Sequence, residues 1–260
     1  MRGSVWILLT TYVCLKAYWV LSMRFGRWMD AYAFEGALKF AVLALPCLAM
    51  SWLLYRDTGR SALRAIEIGG GIASGLAFAV LATLPMAAAA IALPRKPLNP
   101  DLIAGSSLLG PFAEELLFRG FVFTLLIRRC GWSVAWALIV SSLLFGLAHL
   151  RHVDLQLLGL LSGYPAYALP ASLKYVVPYA AGGALFAWVA WRRQSLWPAI
   201  FLHALMNFWW DVTTGEHGQL DFTFDPMSAS QAISAAIAVV LTLRSTGVLP
   251  SWRLGSIRRN

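Results

Sequence analysis

Apolar residues come in runs too long for the core of a soluble domain. A helix needs about 20 of them to cross the hydrocarbon of a bilayer. Runs near that length lie at roughly 4–22, 36–55, 66–93, 105–127, 132–150, 175–191, 196–212 and 229–243. The pattern predicts an all-α fold, a polytopic membrane helical bundle of about eight transmembrane helices. Nothing repeats and no composition shift divides the chain, so 1–260 reads as a single integral-membrane domain. The stretch from Ser4 to Met23 contains Lys16 and has no small-x-small cleavage site, so it reads as a retained first helix. A short apolar run within 153–173 is interrupted by Gly and Pro and reads as an interfacial or re-entrant segment.

Composition supports this picture. The chain is 59% hydrophobic and 13% charged, with a mean hydropathy of +0.67, whereas soluble domains carry about 25% charged residues. The net charge of +9 does not point to nucleic acid, because the basic residues are scattered between apolar runs and form no stripe. They fall mostly at helix ends. The side that carries Arg2, Arg56, Arg60, Arg64, Arg128, Arg129, Arg192, Arg193 and the C-terminal arginines holds twice as many basic residues as the other. By the positive-inside rule both termini are expected in the cytoplasm. Loop 7–8 opposite carries Asp211, Glu216, Asp221 and Asp225.

Cys14, Cys47 and Cys130 have no paired spacing and are expected to pack as apolar groups. Gly71-xxx-Gly75 and Gly182-Gly183 are expected to let helix backbones approach closely. Trp209 and Trp210 suit an aromatic belt. His152 and His217 read as interfacial and loop residues.

Ionisable groups inside the apolar runs change the picture from architecture to chemistry. Each costs several kcal/mol in hydrocarbon, about 2.5–3.5 on insertion scales, and so marks a functional site by default. Glu114, Glu115 and Arg119 lie in the fourth run, His149 in the fifth, and His203 with Asn207 in the seventh. Gly110-Pro111 is expected to break or restart the fourth helix. Glu115 and Arg119 are at i,i+4, the spacing of an ion pair, and Glu114 is turned about 100° away, free to face a reactant. His203 and Asn207 share the i,i+4 spacing and can reach one point in the bundle.

A carboxylate and an imidazole can hold and deprotonate a water, while a second imidazole and a carboxamide can donate to an oxyanion. Those parts make a hydrolase for acyl or peptide bonds by direct attack of water. Zinc is the competing use of the same atoms, with Glu114, His149 and His203 as ligands. No HExxH is present, so the metal-free scheme, with no cofactor, is placed first.

The ordered set EExxxR (Glu114, Glu115, Arg119), FxxxH (Phe145, His149) and HxxxN (His203, Asn207), within 105–212, resembles the CAAX protease and bacteriocin-processing family of intramembrane proteases. These are related to the type II CAAX prenyl endopeptidase. The resemblance implies that Glu114 and His149 activate water and that His203 and Asn207 form the oxyanion hole. Glu115 and Arg119 would support them, Arg119 by positioning a carboxylate or binding a substrate's carboxyl end. It implies a membrane-anchored protein or peptide as substrate, the lipid bilayer as surroundings, and no nucleic-acid partner. Location in a bacterial inner membrane is expected. The alternative is a non-proteolytic membrane protein of the bacteriocin-immunity or binding type, which would keep the motifs without turnover.

Overall fold

The structure is a computed structural model. It describes residues 2–25, 31–55, 66, 68, 71–94, 97, 99–149, 168–214 and 226–245. Among these residues eight helices and no strand are found: α1 Arg2–Arg24, α2 Tyr32–Tyr55, α3 Ile72–Ala92, α4 100–128, α5 Val134–Ala148, α6 Ala168–Arg193, α7 Trp197–Thr214 and α8 Pro226–Ser245. The all-α membrane bundle expected from the hydropathy pattern is the one observed. Four segments, Gly3–Ser22, Tyr32–Tyr55, Ile72–Ala92 and Pro226–Arg244, are long and apolar enough to cross a bilayer. Large apolar side chains such as Trp6, Trp52, Leu84, Trp136, Ile139 and Leu243 point outward, as lipid-facing residues must in an integral membrane protein.

α4 is not a lipid-facing helix. α4 is the axis of the bundle, packed by α1, α2, α5, α6 and α7, and every residue from Leu116 to Ile127 is buried. α3 lies against α7 and α8, and α6 against α5, α7 and α8. Close approach is permitted by small residues. A Cβ on Gly105 would collide with the Tyr32 carbonyl, and one on Gly36 would lie 2.9 Å from the Gly105 Cα, so α2 and α4 cross backbone to backbone. At the same end the Asp101 carboxylate accepts from the Tyr32 and Ala33 N–H groups at 2.6 and 3.0 Å, capping α2 from α4.

Gly110-Pro111 does not break α4. The helix widens to a π-helix over Ile103–Leu109, returns to α over Gly110–Glu115, and widens again over Leu116–Phe123. A π turn ahead of a proline relieves the clash of the ring with the preceding turn. α2 has the same device, a π stretch at Phe40–Ala44 before Pro46. The second π stretch of α4 has its carbonyls met from the side: Ser141 Oγ donates to Phe118 O at 2.8 Å and Thr124 Oγ1 to Arg119 O at 2.7 Å.

Several sequence expectations need correction. Gly75 and Gly183 do serve close contacts, with α7 and α5 respectively, but Gly71 is the left-handed residue (φ 84°) before α3, and a Cβ on Gly182 would meet only the Phe186 ring of its own helix, at 4.0 Å. Asp211 is not in a loop: α7 runs on to Thr214 and buries Asp211, whose Oδ2 accepts from Ser107 Oγ of α4 at 2.9 Å. Trp210 is buried against the bundle interior rather than set in a belt. Cys14 and Cys47 are buried as expected. Of 153–173, the part from Ala168 belongs to α6, and the rest lies outside the described residues, as do His152, His217, Glu216, Asp221 and Asp225.

Candidate active site

The six residues singled out from the motifs lie on α4, at the C-terminal end of α5 and on α7, and the bundle gathers them around Phe145 and the α-helical turn Gly110–Glu115. The two glutamates divide as the helical period dictates. Glu115 turns toward α7 and is wholly enclosed. Its Oε1 lies 3.0 Å from an Arg119 guanidinium nitrogen and 2.9 Å from His203 Nδ1. The expected i,i+4 ion pair is therefore present, and the carboxylate positioned by Arg119 is that of Glu115.

Arg119 itself is fully buried. Its guanidinium carbon sits 4.1 Å from the Phe145 ring centre, 5.4 Å from Phe186 and 5.8 Å from Phe118. A planar, weakly hydrated cation stacked among aromatic faces keeps its charge with few hydrogen bonds. Gly183 of α6 leaves the room for it: a Cβ there would lie 3.2 Å from a guanidinium nitrogen and 3.1 Å from the Phe145 ring.

Glu114 is buried but not free, as the spacing had suggested. Lys39 of α2 reaches across to it, with Nζ 2.8 Å from Oε1. The other oxygen, Oε2, faces His149 Nε2 at 4.0 Å. His149 caps the end of α5, where Nδ1 lies 2.8 Å from the Phe145 carbonyl four residues back. A carbonyl only accepts, so Nδ1 carries the hydrogen, and in the neutral imidazole Nε2 then presents its lone pair to Glu114. The imidazole is stacked on Tyr179 (3.9 Å between centres, 12° between planes) and meets Phe145 edge-on at 4.6 Å.

His203 is held in the same manner, Nδ1 on Glu115 and one face on Phe186 at 4.7 Å, leaving Nε2 uncommitted to Glu115. Asn207, one turn on, donates from Nδ2 to the Ser106 carbonyl at 3.1 Å. That contact follows from the sequence of α4. In the π register Gly110 N–H goes to Gly105 O, the next donor would be residue 111, and Pro111 has none. Asn207 supplies the Ser106 carbonyl with the hydrogen that Pro111 lacks.

His203 and Asn207 line a cavity of about 530 Å³ between α5, α6, α7 and α8. Its walls are mostly apolar, with Leu185, Met206, Trp210, Ala235 and Val239 among them. Glu114 and His149 lie beyond Phe145 and Tyr179, which belong to the same lining. The three residues that would hold zinc do not gather into a ligand set: among the described residues no three of His, Cys, Asp and Glu are placed to share an ion. The Lys39 ammonium on Glu114 would also oppose a second cation there.

Sequence reasoning missed Lys39 and its neighbours. Lys39 and Glu35 are an i,i+4 pair near the start of an apolar run, and any charge in such a run is a candidate.

Residues 98–209, the stretch holding all six motif residues, match the family described as type II CAAX prenyl endopeptidase Rce1-like. The chain is 31% identical over 108 residues to "Putative membrane peptidase YdiL" of Bacillus subtilis (strain 168), a match covering 42% of this chain and 35% of that protein. It is 33% identical over 104 residues to "Probable CAAX prenyl protease 2" of Schizosaccharomyces pombe (strain 972 / ATCC 24843), covering 38% of this chain and 36% of that one. The match thus spans about a third of each relative. No solved structure matches the chain. The resemblance carried by the three motifs is shown over this stretch, and it is with the Rce1-like type II CAAX prenyl endopeptidases.

Proposed function

We propose that the protein is an intramembrane endopeptidase that cleaves a membrane-tethered protein or peptide by direct attack of water. The observation that carries this reading is the facing pair of acceptors, Glu114 Oε2 and His149 Nε2, 4.0 Å apart. Two acceptors at that separation suit one water, ~2.8 Å from each, donating a hydrogen to both. Its oxygen lone pair then points away from them, toward a substrate carbonyl. As the C–O bond forms, Glu114 takes the water's proton, and on collapse it returns that proton to the leaving amine. Water and amide become carboxylic acid and amine, which ionise to carboxylate and ammonium, with no covalent enzyme intermediate.

The negative charge that develops on the carbonyl oxygen calls for donors. Asn207 has a second N–H beyond the one on Ser106. His203, held through Nδ1 on Glu115 at 2.9 Å, has Nε2 left to serve as a second donor. The apolar cavity on this side suits a lipid-embedded segment or chain next to the scissile bond. The identities of the named relatives support the peptidase class. We place both termini in the cytoplasm of a bacterial inner membrane, which puts the α5 end bearing His149 toward the outside. A reporter fused after Asn260 should then be cytoplasmic, and an extracytoplasmic signal overturns this orientation.

The deciding experiment compares the termini of membrane proteins by mass spectrometry in cells carrying wild type or Glu114→Ala. Termini that appear with wild type alone establish proteolysis and identify the substrate. Identical termini, with both proteins stably expressed, overturn it and leave a binding or immunity role.

A further inference from the structure

The matched stretch begins at residue 98, yet the site is completed from outside it. Lys39 of α2 makes the shortest contact to Glu114, 2.8 Å from Oε1. The ammonium has a second acidic neighbour, Glu35 Oε1 at 3.5 Å on its own helix, and that same oxygen accepts from the Tyr18 hydroxyl of α1 at 2.7 Å. The Lys39 amine also lies 6.0 Å from the centre of the Tyr18 ring. Tyr18, Glu35, Lys39 and Glu114 thus form a chain of contacts through three helices, ending on the oxygen of Glu114 that does not face His149.

We infer that Lys39, fixed by Glu35 and Tyr18, is a positioning residue for Glu114, holding Oε1 so that Oε2 faces His149. The inference rests on the proposed water-attack role of Glu114 and adds its determinant. A glutamate has three side-chain torsions, and α4 alone sets none of them. Anchoring one oxygen at 2.8 Å leaves the other on the opposite side of the Cγ–Cδ axis, toward α5.

A purely structural role would make a different prediction. If Lys39 only balanced buried charge, removing it together with one carboxylate would restore function. Five forms are therefore compared: wild type, Lys39→Met, Lys39→Arg, Glu35→Gln/Lys39→Met and Glu114→Ala, each purified in detergent. Their melting temperatures are recorded, and kinetics are run on an internally quenched peptide built on the sequence cleaved in cells by wild type. A displacement of about 1 Å at a reacting group costs about 100-fold in rate. Lys39→Met should lose about that much in kcat with KM nearly unchanged, and Lys39→Arg should recover part of it. The double variant should regain melting temperature but not kcat.

Recovery of kcat in the double variant, or a wild-type kcat in Lys39→Met, overturns the positioning role while the protease reading stands. Full activity in Glu114→Ala, or no cleavage by wild type, overturns both. Independently of turnover, the melting shifts of Lys39→Met and Glu114→Gln must be non-additive when combined. Additive shifts mean that the contact does not exist in solution and overturn the inference.

Discussion

Gly183 of α6 stands directly against the Arg119 guanidinium, where an added Cβ would come within 3.2 Å of a guanidinium nitrogen. The glycine is thus part of the pocket that encloses a buried cation, and its neighbour Gly182 is not. Gly183→Val should displace Phe145 or Arg119 and lower stability by about 1–3 kcal/mol, the usual cost of overpacking. Gly182→Ala, which meets nothing closer than 4.0 Å, should melt like wild type. Thermal unfolding of the two variants in detergent checks the contrast, and equal shifts would contradict it.

Arg119 and Glu115 should be far harder to alter than the motif histidines. Breaking a buried ion pair by removing one partner costs about 3–5 kcal/mol, since the other charge is left enclosed. Arg119→Ala strands Glu115, which has no exposure at all, and is expected to abolish accumulation of folded protein. The yield of monodisperse protein after detergent extraction is the measurement. His203→Ala, which leaves the Arg119–Glu115 pair in place, should remain extractable.

The ring of Tyr179 lies parallel to His149 at 3.9 Å and sets the plane in which Nε2 points. Tyr179→Phe keeps the stacking face and should retain most of the rate. Tyr179→Ala frees the imidazole to rotate about its bond to Cβ, and a loss of about tenfold or more in kcat is expected. Comparing kcat for the two variants on one peptide tests whether the ring face, rather than the hydroxyl, is what matters.

The place of a metal can be decided by removal. A scheme in which Glu114 itself takes the proton predicts that prolonged treatment with a membrane-permeant chelator leaves cleavage unchanged. Loss of activity that zinc restores would transfer the role of Glu114, His149 and His203 from acid–base work to ligation.

How much of this could be read beforehand depends on range. Helix positions follow from runs of apolar residues, a local property, so eight segments were legible, although α3 starts six residues later and α6 seven residues earlier than the runs that mark them. The Glu115–Arg119 pair was legible for the same reason, since i,i+4 spacing fixes proximity within one helix. Lys39 was not, because its partner on α4 is 75 residues away and nothing in the local pattern says which helices touch. One signal was available: of the 21 basic residues only Lys16, Lys39 and Arg119 lie inside the apolar runs. Lys16 lies near the rings of Tyr12 and Trp19 on its own helix, and the other two each hold one of the paired glutamates. Asp211, at the end of the 196–212 run, was counted with the loop charges that follow it, whereas Ser107 gives that charge a partner inside the bundle. The role of Pro111 was half visible. Its missing N–H was legible, but the helix widening that accommodates it was not.

That widening has a consequence for how α4 tolerates change in length. A π turn equals an α-helix with one extra residue looped into it. Deleting any single residue from Ile103–Leu109 could be absorbed by tightening the turn to α, leaving hydropathy and helix length almost untouched. Because the residue given up is the one looped out, the helix on either side keeps its rotational phase. Asp101 would still cap α2, and Glu114 would still face Lys39. The widened turn is thus a one-residue allowance in the length of α4, placed just ahead of the paired glutamates.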